Sequence, residues 1–163
     1  MVAFRVISPQ QAYRAVSWQT IVLLGGLIPL STAISVSGAA DLIAGGLLAV
    51  VGGGSPYVLL VALFLVTATL GQVISNTATV LIVVPIALAA ALESGVSPAP
   101  VLMLVAVAGA SSFLTPIATP ANMMVMGPAG YRFGDYWKFG LPLLLIWLAI
   151  ALLVIPLVWP LTP

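Results

Sequence analysis

Polar residues are sparse along this chain, and their positions divide it into segments. No acid or base occurs from residue 42 to 92. Yet "GQVISNTATVLIVVPIA", residues 71–87, sets Gln72, Ser75, Asn76, Thr77 and Thr79 between two apolar runs. A helical bilayer crossing needs about 20 apolar residues. Residues 18–37, "WQTIVLLGGLIPLSTAISVS", supply one, interrupted by Gly25, Gly26 and Pro29. Residues 41–51 are shorter and open with Asp41, which predicts an interfacial or horizontal helix followed by the turn "GGGSP". At 1.5 Å per helical residue, the runs 56–71 and 78–92 reach only about half to two-thirds of the way through a bilayer. With the polar stretch between them they predict a re-entrant hairpin, because non-helical backbone at membrane depth is tolerated only inside protein or along a cavity. Two short complete spans are the alternative. Residues 98–114 begin another crossing, which breaks at "TPIATPAN", 115–122, and resumes in "MMVMG". "YRFGDYWKFG", 131–140, reads as an aromatic and charged interfacial segment. The last span covers 141–159, with Trp147 and Trp159 as interface anchors.

This organises the chain as an N-terminal cytoplasmic or interfacial segment (1–17), a transmembrane helix with a horizontal arm (18–55), a re-entrant hairpin (56–95), a broken transmembrane helix (96–128), a cytoplasmic loop (129–140) and a final transmembrane helix (141–163). Arg5 and Arg14 precede the first span, and Arg132 and Lys138 lie before the last. The positive-inside rule puts all four in the cytoplasm and the C-terminus outside.

Composition fixes the class. The chain is 63% hydrophobic and 4% charged, against roughly a quarter charged residues in average soluble domains. Four bases and three acids cannot solvate a globule of 163 residues. An all-α integral membrane protein of the cell membrane follows, with the lipid bilayer as its first partner. A net charge of +1 gives no footprint for nucleic acid. With neither cysteine nor histidine, disulfides, thiol chemistry, Cys/His metal sites and the commonest general base are all absent. Asp41, Glu93 and Asp135 are far apart in sequence, so no carboxylate pair stands out and no enzyme chemistry or cofactor is expected.

What remains are two places where helix breakers and polar groups coincide at membrane depth. One is Ser75, Asn76 and Thr77. The other runs from Thr115 through Pro116, Ala118, Thr119 and Pro120 to Asn122. Each proline lacks an N–H and disfavours a continuous helix, leaving carbonyls that must find partners. The start of a half-helix presents free N–H groups and the positive end of its dipole to an anion. Unwound carbonyls suit a cation such as Na+. Thr77 and Asn122 stand where half-helices are expected to begin, and both residue types can cap. Such a site holds an anion and a hard cation with no charged side chain. The plainer alternative is that these Ser, Thr and Asn side chains only help helices pack. That reading is kept for Thr67, Thr69, Ser111 and Ser112, the last two as supporting residues.

At these motifs the chain resembles the divalent anion:sodium symporter family, the dicarboxylate, citrate and sulfate carriers within the ion-transporter superfamily. "SNTAT" followed by "VPIA" resembles the family's Ser-Asn-Thr hairpin tip. "TPIATPAN" resembles its second unwound region, with Ala121 where a second proline is usual. "GPAGYRFGDYWKFGLP" and "AYRAVSWQTIVLLGGLIPLSTAISVSGAADLIA" resemble the flanking segments. The resemblance implies an elevator-type transporter of two inverted repeats, in which this chain is the C-terminal one. It implies substrate contacts at Ser75, Asn76, Thr77, Thr119 and Pro120. It implies one Na+ held around Ile74, Ser75, Asn76 and Ala118, with Thr115, Pro116 and Asn122 supporting the break. Only one Ser-Asn-Thr motif is present. The expectation is therefore a fragment, a half that pairs with its missing N-terminal repeat from the same gene or a separate chain, or a self-pairing half, which would need dual topology against the positive-inside bias. The complete protein is expected to be a homodimer. The expected function is symport of a small divalent anion, dicarboxylate or sulfate, with Na+. Alternatives are a relative acting as a Na+/H+ antiporter or carrying another anion, and a non-transporting scaffold subunit. The antiporter lacks an intramembrane acid or histidine to carry protons.

Overall fold

Proline decides where several helices begin. In the computed structural model, which describes residues 8–15, 18–51 and 55–162, four helices open on one: α1 (Pro9–Ala15), α4 (Pro56–Gly71), α6 (Pro98–Gly109) and α7 (Pro120–Met126). At the first helical position the missing N–H has no intrahelical acceptor to lose, and the fixed φ is already helical. The remaining helices are α2 (Trp18–Val36), α3 (Ala39–Val51), α5 (Asn76–Ser94) and α8 (Tyr136–Val158), the last entered through a 3-10 turn at Phe133–Asp135. The described residues contain no strand. Of the expected N-terminal segment, residues 1–7 and 16–17 lie outside the described residues.

Glycine ends two helices by taking a left-handed backbone that other residues resist. Gly38, at φ 76, turns the chain from α2 into α3. Gly95, at φ 67, closes α5: its N–H donates to Leu92 O and that of Val96 to Ala91 O. This is the Schellman pattern, and Val96 buries its side chain behind the turn.

Helix α5 lies at the centre, packed against α2, α3, α4 and α6. Its inward residues are small: Ala87, Ala90 and Ala91 are fully buried, as are Ala44 of α3 and Ala108 of α6. Small residues let backbones approach closely, and larger side chains fill the spaces between them. Leu59, Leu60, Leu63 and Phe64 of α4, with Val101, Leu104 and Val105 of α6, provide that filling. Where α5 meets the end of α6, a Cβ on Gly109 would collide with the Val80 side chain.

Helix α8 buries only a stripe, Gly140, Leu144, Ala151 and Ile155. Much of the rest of its surface is apolar and exposed, including Leu145, Ile146, Leu153 and Leu157. Two stretches of the described residues are long and apolar enough to cross a membrane, Asn76–Ser94 and Phe133–Val158.

Two boundaries differ from the sequence expectation. Helix α8 begins at Tyr136, not at 141, because the chain is already turning. The Arg132 N–H donates to Asp135 Oδ2 at 2.9 Å, and this capped turn runs straight into the helix. Helix α6 stops at Gly109 instead of continuing to 114. There the Ala110 and Ser111 N–H groups bond back to Val107 O and Ala108 O, tightening the last turn, and Ser111 Oγ donates to Ala108 O at 2.5 Å. The second break therefore runs from Ala110 to Thr119 and includes both serines.

Candidate functional site

The hairpin tip is short. Gln72, Val73, Ile74 and Ser75 join α4 to α5, and α5 begins at Asn76. Ser75 is the N-cap, in extended conformation, with its Oγ accepting from Ala78 N at 3.4 Å. Ser75 O also accepts from Thr79 N at 2.9 Å. The cap is thus Ser75 rather than Thr77, because extended backbone ends at Ser75 and Thr77 is already inside the first turn. Among the described residues, the N–H groups of Asn76 and Thr77 have no protein acceptor, as the geometry of a first turn dictates. These two N–H groups and the dipole of α5 leave the tip electropositive without a cationic side chain.

The second break repeats the device. Thr119 is the N-cap of α7, and its Oγ accepts from Asn122 N at 3.2 Å. The cap is Thr119 rather than Asn122, since Pro120 takes the first helical position where its missing N–H is harmless. Asn122 does different work: its Nδ2 donates to Ser112 O at 2.8 Å and to Thr115 O at 3.0 Å, holding two carbonyls of the unwound segment. Tyr136 Oη donates to Asn122 O at 2.6 Å and so ties α8 to the same region.

Long-range hydrogen bonds join the two breaks. Gln72 Nε2 donates to Ser111 O at 3.0 Å, Gln72 Oε1 accepts from Leu114 N at 2.9 Å, and Thr115 Oγ donates to Gln72 O at 2.9 Å. Ser112 Oγ bonds to Asn76 Oδ1 and lies 3.5 Å from Gly71 O. With its Oδ1 engaged, the Asn76 amide presents Nδ2 as a free donor. Gln72, Ser111 and Ser112 are buried, Asn76, Thr115 and Asn122 half-buried, and Pro116 and Ala118 buried. Ser75, Thr77 and Pro120 are exposed, with Ile74 and Thr119 between. Among the described residues, Ser75, Thr77, Thr119 and Pro120 make no hydrogen bond from one break to the other.

Gln72 and Ser112 are the residues that sequence reasoning undervalued. Gln72 had a legible signal, an amide inside an apolar run, but its partners come from a segment about forty residues away, which a local reading cannot supply. Helix α8 closes the back of the site. A Cβ on Gly140 would strike the Phe113 carbonyl, so only glycine lets α8 lie against this backbone. Trp147 Nε1 donates to Val107 O at 3.0 Å, and its ring stands edge-on to Phe113, with centroids 5.9 Å apart. Among the described residues, no cluster of acids, histidines or cysteines could hold a metal. Any cation here must be met by carbonyl, amide and hydroxyl oxygens, which are hard donors suited to Na+ but not to a transition metal.

Residues 1–161 match the citrate transporter family. The chain belongs to that family. As a citrate transporter family member it is a membrane protein of a transporter class, in keeping with its resemblance to the divalent anion:sodium symporters. It is 41% identical over 157 residues to an uncharacterized transporter, YfbS, of Escherichia coli, covering 96% of this chain and 26% of that protein. It is 31% identical over 110 residues to the sodium-dependent dicarboxylate transporter SdcS of Staphylococcus saprophyticus, covering 68% of this chain and 21% of that protein. Against the probable sodium/sulfate cotransporter 3 of Chlamydomonas reinhardtii it is 23% identical over 148 residues, 89% of this chain and 16% of that protein. This citrate transporter family chain spans about a quarter of the length of the curated relatives it matches first.

Proposed function

We propose that this chain supplies one half of a Na+-coupled transport site for a small anion bearing carboxylate or sulfate oxygens. The observation that carries the reading is the meeting of two helix breaks, whose capped ends and unwound carbonyls are joined by Gln72 and Ser112 with no charged group in either. An anion is held by the N–H groups of Asn76 and Thr77, the Asn76 amide, and the hydroxyls of Ser75, Thr77 and Thr119 beside Pro120. Na+ is held by carbonyls around Ile74, Ser75 and Ala118 together with the Asn76 region. Thr115, Pro116 and Asn122 keep the second break open. Charge neutralisation comes from dipoles and from the co-bound ion.

In this reading α4 and α5 form a re-entrant hairpin and the chain is the C-terminal inverted repeat of an elevator-type transporter. A second repeat completes the midplane site, and the whole protein assembles as a homodimer in the cell membrane. Residues 1–17 and 129–140 face the cytoplasm and the C-terminus faces outside. The sodium-dependent dicarboxylate and sodium/sulfate relatives support the class of cargo and the coupling ion.

The test is uptake of labelled succinate, citrate and sulfate by proteoliposomes of the full-length protein, with an inward Na+ gradient or with K+ in its place. Na+-dependent accumulation of at least one anion is expected, lost in Asn76→Ala at unchanged protein level. Accumulation indifferent to Na+ refutes symport, and wild-type uptake by Asn76→Ala refutes the site.

A further inference from the structure

Gln72 has no assigned role in the proposed site, yet it makes more hydrogen bonds than any other side chain of the two breaks. It is only 6% exposed. Its Nε2 donates to Ala68 O at 2.9 Å and to Ser111 O at 3.0 Å, and its Oε1 accepts from Leu114 N at 2.9 Å. Both amide protons are used, and so is the oxygen. Its main-chain oxygen accepts from Thr115 Oγ at 2.9 Å. Three of these four bonds cross from the hairpin tip to the second break. Each meets a backbone group left over where helix α6 stops, or a side chain just beyond it.

We propose that Gln72 is the positioning residue that sets the register of the hairpin tip against the second break. It thereby fixes the spacing between Ser75 and Asn76 on one side and Thr119 on the other. An amide suits this place and few side chains replace it. Methionine has nearly the same length but leaves Ser111 O and Leu114 N without partners in a buried setting. Glutamate as a carboxylate faces two carbonyl oxygens and is repelled, whereas its protonated form recovers one donor. No acid or base lies on α4, α6 or the 110–119 break. The Tyr57 phenol stands at the opposite end of α4, Asp41 opens α3, and the Tyr136 hydroxyl is bonded to Asn122 O. Glu93 sits at the far end of α5, and α8 carries Lys138 in its first turn, paired with Asp135. A pH response in Gln72→Glu therefore reports the introduced group.

The functional consequence rests on the transport reading, while the positional claim does not, and the experiment separates them. Val73 and Ile117 are exposed, one in each break. Spin labels on Val73→Cys and Ile117→Cys, in the full-length protein with any cysteine outside these residues replaced by serine, read their separation by pulsed dipolar spectroscopy. A single narrow distance distribution is expected with Gln72. A broadened or shifted one is expected with Gln72→Met, and one that narrows on acidification with Gln72→Glu. In proteoliposomes, Gln72→Met is expected to raise the half-saturating Na+ and anion concentrations about tenfold with maximal rate within about twofold. Relative to the parent protein at each pH, Gln72→Glu is expected to recover transport as pH falls from about 8 to about 6, because burial raises the pKa of a carboxyl. If the methionine variant does not fold, the pH-dependent distances in Gln72→Glu decide the matter alone. Unchanged distances in the variants overturn the positional claim. A lower maximal rate at unchanged half-saturation overturns its functional consequence. If the parent protein shows no Na+-dependent uptake, the transport reading falls and the distances still judge Gln72.

Discussion

Gly140→Ala tests whether the packing of α8 against the second break stabilises the fold. A Cβ at this position would lie 2.7 Å from Phe113 C and 3.1 Å from Leu114 Cα, and closer still to Phe113 O. Carbon atoms are content at about 3.5–4.0 Å, so the new methyl is almost an ångström too close to backbone that no rotamer change can move. Overpacking of this kind costs about 1–3 kcal/mol. Alanine recovers about 0.5–1 kcal/mol of helix propensity over glycine, leaving a net loss on the order of 1–2 kcal/mol. Gly46 in α3 is the internal control, because a Cβ there meets nothing within 4 Å. Gly46→Ala then gains the propensity without the clash, up to about 1 kcal/mol. Thermal unfolding of the detergent-solubilised full-length protein, followed by intrinsic fluorescence, is expected to show a lowered midpoint for Gly140→Ala and an unchanged or raised one for Gly46→Ala. A Gly140→Ala midpoint at or above the parent's refutes the close approach. The displaced Phe113–Leu114 backbone also carries the Leu114 N–H bonded to Gln72. Transport is therefore expected to weaken in Gly140→Ala and not in Gly46→Ala.

Three further outcomes follow from single contacts. Thr79 Oγ is buried with no hydrogen-bond partner among the described residues, so Thr79→Val is expected to keep or raise the thermal midpoint, by up to about 1–2 kcal/mol of stability. Trp147→Phe removes the donor to Val107 O while keeping a ring for Phe113; it is expected to cost about 1 kcal/mol, read by the same melting assay. Asn122→Leu frees Ser112 O and Thr115 O from their shared donor. It is expected to speed protease cleavage within residues 110–119 in limited proteolysis, with a stability loss of about 2 kcal/mol or more.

The helical class, the apolar runs and the existence of two polar breaks were legible because each rests on local chemistry. An apolar run needs its backbone bonds satisfied within itself, and proline marks where that fails. Pro56, Pro98 and Pro120 open helices for this reason. Caps were harder. Thr77 and Ser75 are both competent residue types, and the choice depends on where extended backbone ends, which composition does not express. The early stop of α6 was not legible, since "VAVAGASSFL" reads as a continuing helix. The stop is made by tertiary bonds from Gln72 to Ser111 and Leu114, whose positions exist only once α4 and the break lie side by side. The burial of Ser111 and Ser112 follows from the same contact.

The absence of any acid or base between Asp41 and Glu93, and between Glu93 and Arg132, has a chemical consequence. Amides, hydroxyls and carbonyls neither gain nor lose protons over the range in which a cell lives. The two breaks consequently keep one electrostatic character over that range. Polycarboxylic acids do change charge over that range, whereas sulfate does not. On the proposed transport reading, a rate that varies with pH for a carboxylate but stays flat for sulfate reports which ionic form is picked out, with the two breaks of this chain serving as an invariant reference.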